Sequence, residues 1–336
     1  MKESVEKTFN QFKIHTQYSI CEGAVKIEQL KEFCKKNKIK SLGLSDTYNL
    51  SGALEFSENL SSVGTQPIIG TQILFKYKEF EGLIPLIAKN NDGYKNIIKL
   101  SSKSYLENSE TNTPHCLLDD LLNNSEGIII LTGSIKCFFG SLFNKGLFNE
   151  IEEIMIKLKE KFQENIYIEI QRHNDLNEKD FENYNLKVSK KLDLPIIASH
   201  EVYYLDKDMF EAHDALMCIG QKTYVNDSTR IKLTNQHYFK SSEEMIEVFK
   251  DLPEALENNF NLPLRCSFYP NFSKPILPSI SSYEKDPNEI LKKLSFEGLK
   301  DKFKLFFGVD TTNIEKDEKY LEYQKRLDHE IQIIVE

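Results

Sequence analysis

Several features are missing from this chain of 336 residues, and each absence excludes a class of protein. No window approaches the ~20 apolar residues that span a membrane, and residues 1–7 lack the apolar segment of a signal peptide. There is no excess of basic residues: the net charge is −9, which argues against a dominant nucleic-acid-binding face. Neither G-x-x-x-x-G-K-[ST] nor G-x-G-x-x-G occurs, which excludes nucleotide cradles of those types.

Cysteine spacing excludes a further class, the zinc-finger proteins. None of the six cysteines forms a C-x-x-C pair or clusters with histidines at zinc-ligand spacing. The sequence therefore predicts reduced thiols in a cytoplasmic protein.

What is present is an alternation of short β-branched runs with helical patterns over the first two hundred residues. The pattern predicts amphipathic helices at 26–37, 92–105 and 147–164. Such alternation is typical of an α/β fold with a mostly parallel sheet, open or closed into a barrel. Barrels carry function at the carboxyl ends of their strands. The predicted strands are 12–15, 40–46, 67–75, 83–88, 127–132, 166–170 and 195–199.

The last third of the sequence is richer in helical patterns. Ser241 and Glu244 have the spacing of a capping box, and the stretch 269–278 has three prolines and reads as an extended linker. The helical stripe from Tyr320 to Ile334 is still in phase at the end, so we expect the chain to continue beyond Glu336. The main boundary is predicted in the linker.

Motifs spread in order along the chain resemble the polymerase-and-histidinol-phosphatase (PHP) domain, in the form found at the start of bacterial DNA polymerase III alpha subunits, the C-family replicative polymerases. Residues 44–53, 67–70 and 88–96 resemble the family patterns L-T-D-H-G-N-L-x-G-A, the P-I-I-G of P-I-I-G-x-E, and A-K-N-x-x-G-Y-x-N. Further on, 211–214 and 251–258 are also similar to the family. The resemblance implies a PHP-type distorted (β/α)7 TIM-like barrel.

Residues past the linker resemble the opening of the polymerase palm, at 294–299 and 326–331. The resemblance therefore divides the chain into a PHP domain at 1–270 and, at 271–336, a linker with the truncated beginning of the palm. The family's catalytic aspartates, which hold two metal ions, lie beyond this point. Mg²⁺ is thus expected in the missing palm, and no cofactor is expected in residues 1–336.

The family's metal cluster is largely replaced in this sequence. Its metal-binding positions would need imidazoles and carboxylates, but a protonated lysine has no lone pair to donate and repels a cation. The resemblance implies that five ligands are lost or neutralised and that two acids survive as longer variants. We therefore predict no catalytic residue and no metal here. The vestigial metal-site positions are Gln11, Lys13, His15, Glu22, Asp46, Thr47, Gln72, His173, His200, Glu201 and Tyr203.

Individual side chains at these positions have a structural interpretation and a functional one. Lys13 is predicted to replace the missing cation by pairing with Asp46 or Glu22. His15 is either a remnant ligand or a hydrogen-bonded core histidine, with the core role favoured. His173 is about as consistent with packing as with a place at the old site. His200 and Glu201 are adjacent on a strand, so at most one of them can face the cleft.

The resemblance, together with the replaced metal-ligand positions, leaves three possible functions. The favoured one is the N-terminal part of a replicative polymerase, whose barrel supports the palm and docks a proofreading exonuclease subunit and other replicase subunits. DNA would then be contacted through the full-length protein, and a membrane would not be a partner. The second is a metal-dependent PHP phosphoesterase or 3′–5′ exonuclease, against which the ligand losses argue. The third is a decayed homologue that only binds partners.

Overall fold

The computed structural model describes residues 7–108, 113–274, 286–308 and 311–335, with the backbone alone at 311–313. The chain forms two compact units, which meet in sequence between Phe272 and Ser273. The first unit is α/β, as predicted. The predicted assignment of 271–336 to a linker and the start of a palm remains a prediction. No helix among the described residues is long and apolar enough to cross a membrane.

The strands of the first unit lie close to the predicted runs, although two of those runs are broken. Both the 40–46 run and the 67–75 run divide into two strands, and two short strands were not predicted. The strands are β1 (Gln11–Ile14), β2 (Ser41–Leu44), β3 (Asp46–Thr47), β4 (Gln66–Ile68), β5 (Gly70–Tyr77), β6 (Phe80–Ala88), β7 (Cys116–Leu117), β8 (Ile128–Leu131), β9 (Ile166–Ile170), β10 (Ile196–Ala198) and β11 (Glu201–Val202).

The helices follow the predicted apolar stripes. Ser241 accepts a hydrogen bond from Glu244 N at 3.2 Å, and the Glu244 carboxylate accepts one from Ser241 N at 2.8 Å, which confirms the capping box. The helices are α1 (Ile27–Asn37), α2 (Ala53–Ser61), α3 (Asn91–Leu106), α4 (Leu118–Asn123), α5 (Phe138–Asn144), α6 (Phe148–Phe162), α7 (Glu178–Leu192), α8 (Phe210–Gln221), α9 (Ser242–Val248), α10 (Pro253–Arg265), α11 (Pro287–Phe307) and α12 (Glu318–Val335).

The strands form two sheets, and no single closed sheet is found among the described residues. One sheet has the order β11-β1-β2-β4, and the other has the order β10-β9-β8-β6-β5-β3, with β7 added beside β5. The pairs are parallel except for those of β6, which is antiparallel to both β5 and β8. The distortion lies at β6, where a tight turn of two residues after β5 replaces the helical crossover that parallel strands need.

Three breaks in the strands connect the two sheets into a distorted ring. β2 continues as β3, β4 as β5 and β10 as β11, and in each case the chain leaves one sheet and enters the other. Counting each broken strand once gives seven ring positions, in agreement with a distorted TIM-like barrel. A buried cluster with residues from six strands and from α10 fills the middle of this ring, as side chains fill small barrels.

The second unit has a small core of its own. Helices α11 and α12, joined through the short 3₁₀ helix Thr311–Lys316, bury Phe303, Ile314 and Tyr320 against one another. Most of the other large apolar side chains of these helices are exposed.

Candidate functional site: a lysine between buried carboxylates

Most of the predicted metal-site positions lie near the carboxyl ends of the ring strands, whereas Gln11 is the first residue of β1 and donates to Lys240 O at 3.0 Å. β1 supplies Gln11 and Lys13, β3 supplies Asp46 and Thr47, and β5 supplies Gln72. Glu201 lies on β11, whose backbone pairs with β1 so that Glu201 stands beside Lys13. These side chains are almost completely buried, so water does not screen their charges.

A lysine ammonium lies at the centre of this group. Lys13 Nζ is 3.4 Å from Glu169 Oε1 and 3.3 Å from Glu201 Oε1, and the Lys13 side chain is 1% exposed. Burial alone lowers the pKa of Lys13, but the charges of Glu169 and Glu201 outweigh burial and raise it. The ammonium therefore stays protonated and cannot serve as a metal ligand or a base at neutral pH.

The prediction that Lys13 pairs with Asp46 or Glu22 is wrong. Neither acid is within 4.0 Å of Lys13 in the described part of the chain, and both have other partners. Asp46 accepts hydrogen bonds from Thr16 N, Thr16 Oγ1 and Ser19 Oγ, each at 2.7 Å. Glu22 Oε2 accepts one from Thr47 Oγ1 at 2.7 Å. Sequence spacing did not reveal that Lys13 extends toward β9 and β11 instead.

Glu169 is a member of this buried group that the sequence analysis did not single out, as are Asp175 and His237. It lies on β9 with its side chain fully buried, and Gly133 N donates a hydrogen bond to Glu169 Oε2 at 2.9 Å. One signal was present in the sequence. A single acid in the otherwise apolar run from Ile166 to Ile170 is expensive to bury unless a cation is near.

His15 is a hydrogen-bonded core histidine in this structure. Its Nε2 lies 2.9 Å from Glu201 Oε1, its Nδ1 lies 3.3 Å from Ser19 Oγ, and its ring stacks on Tyr203 with centroids 4.2 Å apart. Gln72 Nε2 also donates to Glu201 Oε1. Although burial opposes its ionisation, the charge of Lys13 and these hydrogen bonds hold the pKa of Glu201 well below its usual range.

His173, His200 and His237 stack beside the lysine group. The ring centroid of His173 lies 4.6 Å from that of His200 and 4.1 Å from that of His237. His200 turns away from the carboxylates, because its Nε2 bonds to Tyr238 O at 2.9 Å, so only Glu201 of the adjacent pair faces the cleft. Burial lowers the pKa of His173 to about 3, and it lowers those of His200 and His237 well below 6.5, so these rings are neutral near pH 7.

One set of three potential ligands remains to be tested for metal binding among the described residues. His173, Asp175 and His237 offer ligand atoms within 4.8 Å of one another. Glu201 N donates to His173 Nε2 at 3.2 Å, so the remaining Nδ1 of this neutral ring carries the proton and has no lone pair. The His173 and His237 rings are 6° from parallel, whereas two imidazoles on one tetrahedral ion diverge. Asp175 is also paired with Lys136 at 2.6 Å. These residues do not fit a metal ion as they stand.

The comparisons with known proteins agree with the resemblance seen in the sequence. The model of the PHP domain family matches residues 11–173. DNA polymerase III alpha subunits are similar over nearly the whole chain. The subunit of Caulobacter vibrioides is 32% identical over 99% of this chain and 29% of its own length. The subunit of Haemophilus influenzae is 32% identical over 98% of this chain and 29% of its own length. The subunit of Borreliella burgdorferi is 35% identical over 90% of this chain and 28% of its own length. The chain thus spans less than a third of these relatives.

Two solved structures are similar over part of the chain. A putative metal-dependent phosphoesterase from Bifidobacterium adolescentis has a TM-score of 0.39 and 10% identity, covering 57% of this chain and 86% of its own. An amidohydrolase from Chromobacterium violaceum has a TM-score of 0.39 and 9% identity, covering 62% and 96%. Both scores are low, so the assignment rests on the sequence matches.

Proposed function

We propose that this chain forms the N-terminal part of a replicative polymerase. It carries a PHP domain and is homologous to the N-terminal part of DNA polymerase III alpha subunits. Its barrel acts as a structural and partner-docking module without catalysis of its own. The full-length protein would carry out DNA-templated DNA synthesis in the cytoplasm, with Mg²⁺ bound in the palm that follows. The names of the relatives and the match along nearly the whole chain support this proposal.

The observation that carries the non-catalytic role is the position of Lys13. A divalent ion between Glu169 and Glu201 would have to share that space with an ammonium 3.3–3.4 Å from both carboxylates. Two like charges at such a distance repel strongly in a buried site. The nearby Gln72 and Thr47 add neutral side chains, which bind a divalent ion less strongly than carboxylates and imidazoles.

The partners follow from the same proposal. A proofreading exonuclease subunit and other replicase subunits would dock on the barrel, and DNA would be bound by the full-length protein. Helices α11 and α12 would form the beginning of the palm. They carry exposed apolar side chains, which include Leu305, Phe306 and Ile334, and such side chains are typical of a surface that another part of a protein covers.

One observation favours the alternative, a metal-dependent phosphoesterase or 3′–5′ exonuclease. Several acids and imidazoles still gather at the strand ends, and His173, Asp175 and His237 lie close enough to share an ion. The tautomer of His173 and the Lys136–Asp175 pair oppose this reading, as described above. The alternative requires a bound metal ion, so metal content separates the two.

The test is metal binding and hydrolysis by the 336-residue chain. We expect no stoichiometric manganese or zinc by mass spectrometry after dialysis, and no EDTA-sensitive hydrolysis of a chromogenic phosphodiester. The matched positive control restores the ligands that the family resemblance implies, through Gln11→His, Lys13→His, Thr47→His, Gln72→Glu and Tyr203→His together. Stoichiometric metal and EDTA-sensitive turnover in the unmodified chain would favour the phosphoesterase. Primer extension by this chain alone would contradict the domain assignment.

A further inference from the structure

Helix α7 has an amide side chain, that of Asn185, on its buried face, where apolar side chains are usual. The buried positions of this helix are Glu178, Phe181, Asn185 and Val188, which recur at helical spacing. Asn185 is 1% exposed, and neither its Oδ1 nor its Nδ2 has a hydrogen-bond partner among the described residues. A buried polar atom without a hydrogen-bond partner is costly, so a partner for this amide is favoured.

A second residue that lines the same space, Gln171, also has an unpaired amide atom. Gln171 follows β9, and its Nε2 donates to Glu169 Oε1, the atom that also faces Lys13. Its Oε1 is buried and has no partner in the described part of the structure. Gln171 and Asn185 both line a cavity of about 10 Å³ between α7, β9 and the loop at Gly133. This volume is about the space that one water molecule needs.

The chemistry of the lining distinguishes a water molecule from a metal ion. Three carboxylates border the cavity, but each already has partners. Arg172 donates to both oxygens of Glu182 at 2.6 and 2.9 Å, and His173 N donates to Glu178 at 2.8 Å. The unpaired atoms are amide atoms, and they include a donor, Asn185 Nδ2, which would repel a cation. A water molecule both donates and accepts, so it can serve either kind of atom.

We propose that this cavity binds one internal water molecule, which bridges the amides of Asn185 and Gln171. The bridge extends the polar network of Lys13 through Glu169 and Gln171 to helix α7. It holds Gln171 so that its Nε2 keeps donating to Glu169, and this keeps the counter-ion of Lys13 in place.

The experiment is a water-selective NOE measurement on the ¹⁵N-asparagine-labelled 336-residue chain. We expect a cross-peak between water and the side-chain amide of Asn185, which is assigned by its loss in Asn185→Leu. Gln171→Met removes the second partner and should abolish the cross-peak while the amide signal remains. The matched control is Asn183→Leu, an asparagine on the same helix that is not part of its buried face, which should leave the cross-peak unchanged.

Three results would overturn the proposal. The first is the absence of the cross-peak from the unmodified chain, a measurement that does not depend on how any variant folds. The second is a cross-peak of unchanged intensity in Gln171→Met. The third is an anomalous scattering peak in the cavity of crystals soaked in thallium, because it would assign the site to a monovalent cation.

Discussion

At the scale of single residues, Lys13 explains how a group of buried acids at the strand ends is tolerated in the folded chain. Buried carboxylates are costly unless a cation is near, and without one Glu169 and Glu201 would lack a counter-charge. Lys13 supplies a positive charge from within the chain, at 3.3–3.4 Å from both. The ammonium offsets part of the negative charge of the site but, unlike a metal ion, it is not a Lewis acid.

The prediction at this scale is the cost of removing that ammonium. Lys13→Met leaves two buried carboxylates without their cation and should lower the free energy of unfolding by about 3–5 kcal/mol, measured by urea denaturation. Adding Glu169→Gln and Glu201→Gln to it should recover part of the loss. The control is Lys250→Met, which breaks an exposed pair with Glu247 and should change stability little. A loss no larger than that of the control would contradict the assigned role of Lys13.

At the scale of elements, the packing of α3 against the strand connection before β8 depends on a close backbone approach. A Cβ built on Gly93 would lie 1.8 Å from Gly127 O, and this carbonyl accepts a hydrogen bond from Lys89 N at 2.9 Å. Asn90 caps the same helix by accepting from Gly93 N at 2.9 Å. The contact is between backbones, so no side chain can move to make room.

We therefore expect Gly93→Ala to destabilise the first unit by about 1–3 kcal/mol, because the added methyl forces the helix away from the Gly127 carbonyl. Thermal unfolding followed by circular dichroism measures this. Gly298→Ala is the matched control, since Gly298 lies inside helix α11 and, apart from its own helix backbone, no atom of the described residues lies within 4 Å of a methyl group added there. It should stabilise its helix by roughly 0.5–1 kcal/mol, and equal effects of the two changes would refute the close-approach argument.

At the scale of the whole molecule, the buried histidines set the pH dependence of stability. Burial lowers the pKa of His173 to about 3, and it lowers those of His200 and His237 well below 6.5. An unfolded chain binds protons at these groups below about pH 6.5, whereas the folded chain does not. The unfolded state therefore binds more protons, and stability falls as the pH decreases from about 6.5 toward 5.

The expected slope is about 1.4 kcal/mol per pH unit for each such histidine, measured from urea unfolding at several pH values between about 7.5 and 5. His237→Gln removes one of the three groups and should reduce the slope by about a third of their joint contribution. His329→Gln, at an exposed position of α12, should leave the slope unchanged. A pH-independent unfolding free energy over this range would show that these rings take up protons in the folded state.

The sequence by itself determined the α/β class, most of the strands and helices and the capping box at Ser241. These follow from local periodicity and from the order of short motifs, which a single chain displays directly. It did not determine the break of β2 from β3, the antiparallel direction of β6 or the two carboxylates that Lys13 contacts. The break of β2 and the contacts of Lys13 depend on which strands become neighbours in the ring, and pairing between distant segments leaves no mark in local spacing. The direction of β6 depends on the tight turn at residues 78–79, which the predicted strand bounds did not include. Only the tertiary structure brought Glu169, which lies far along the sequence from Lys13, to the ammonium.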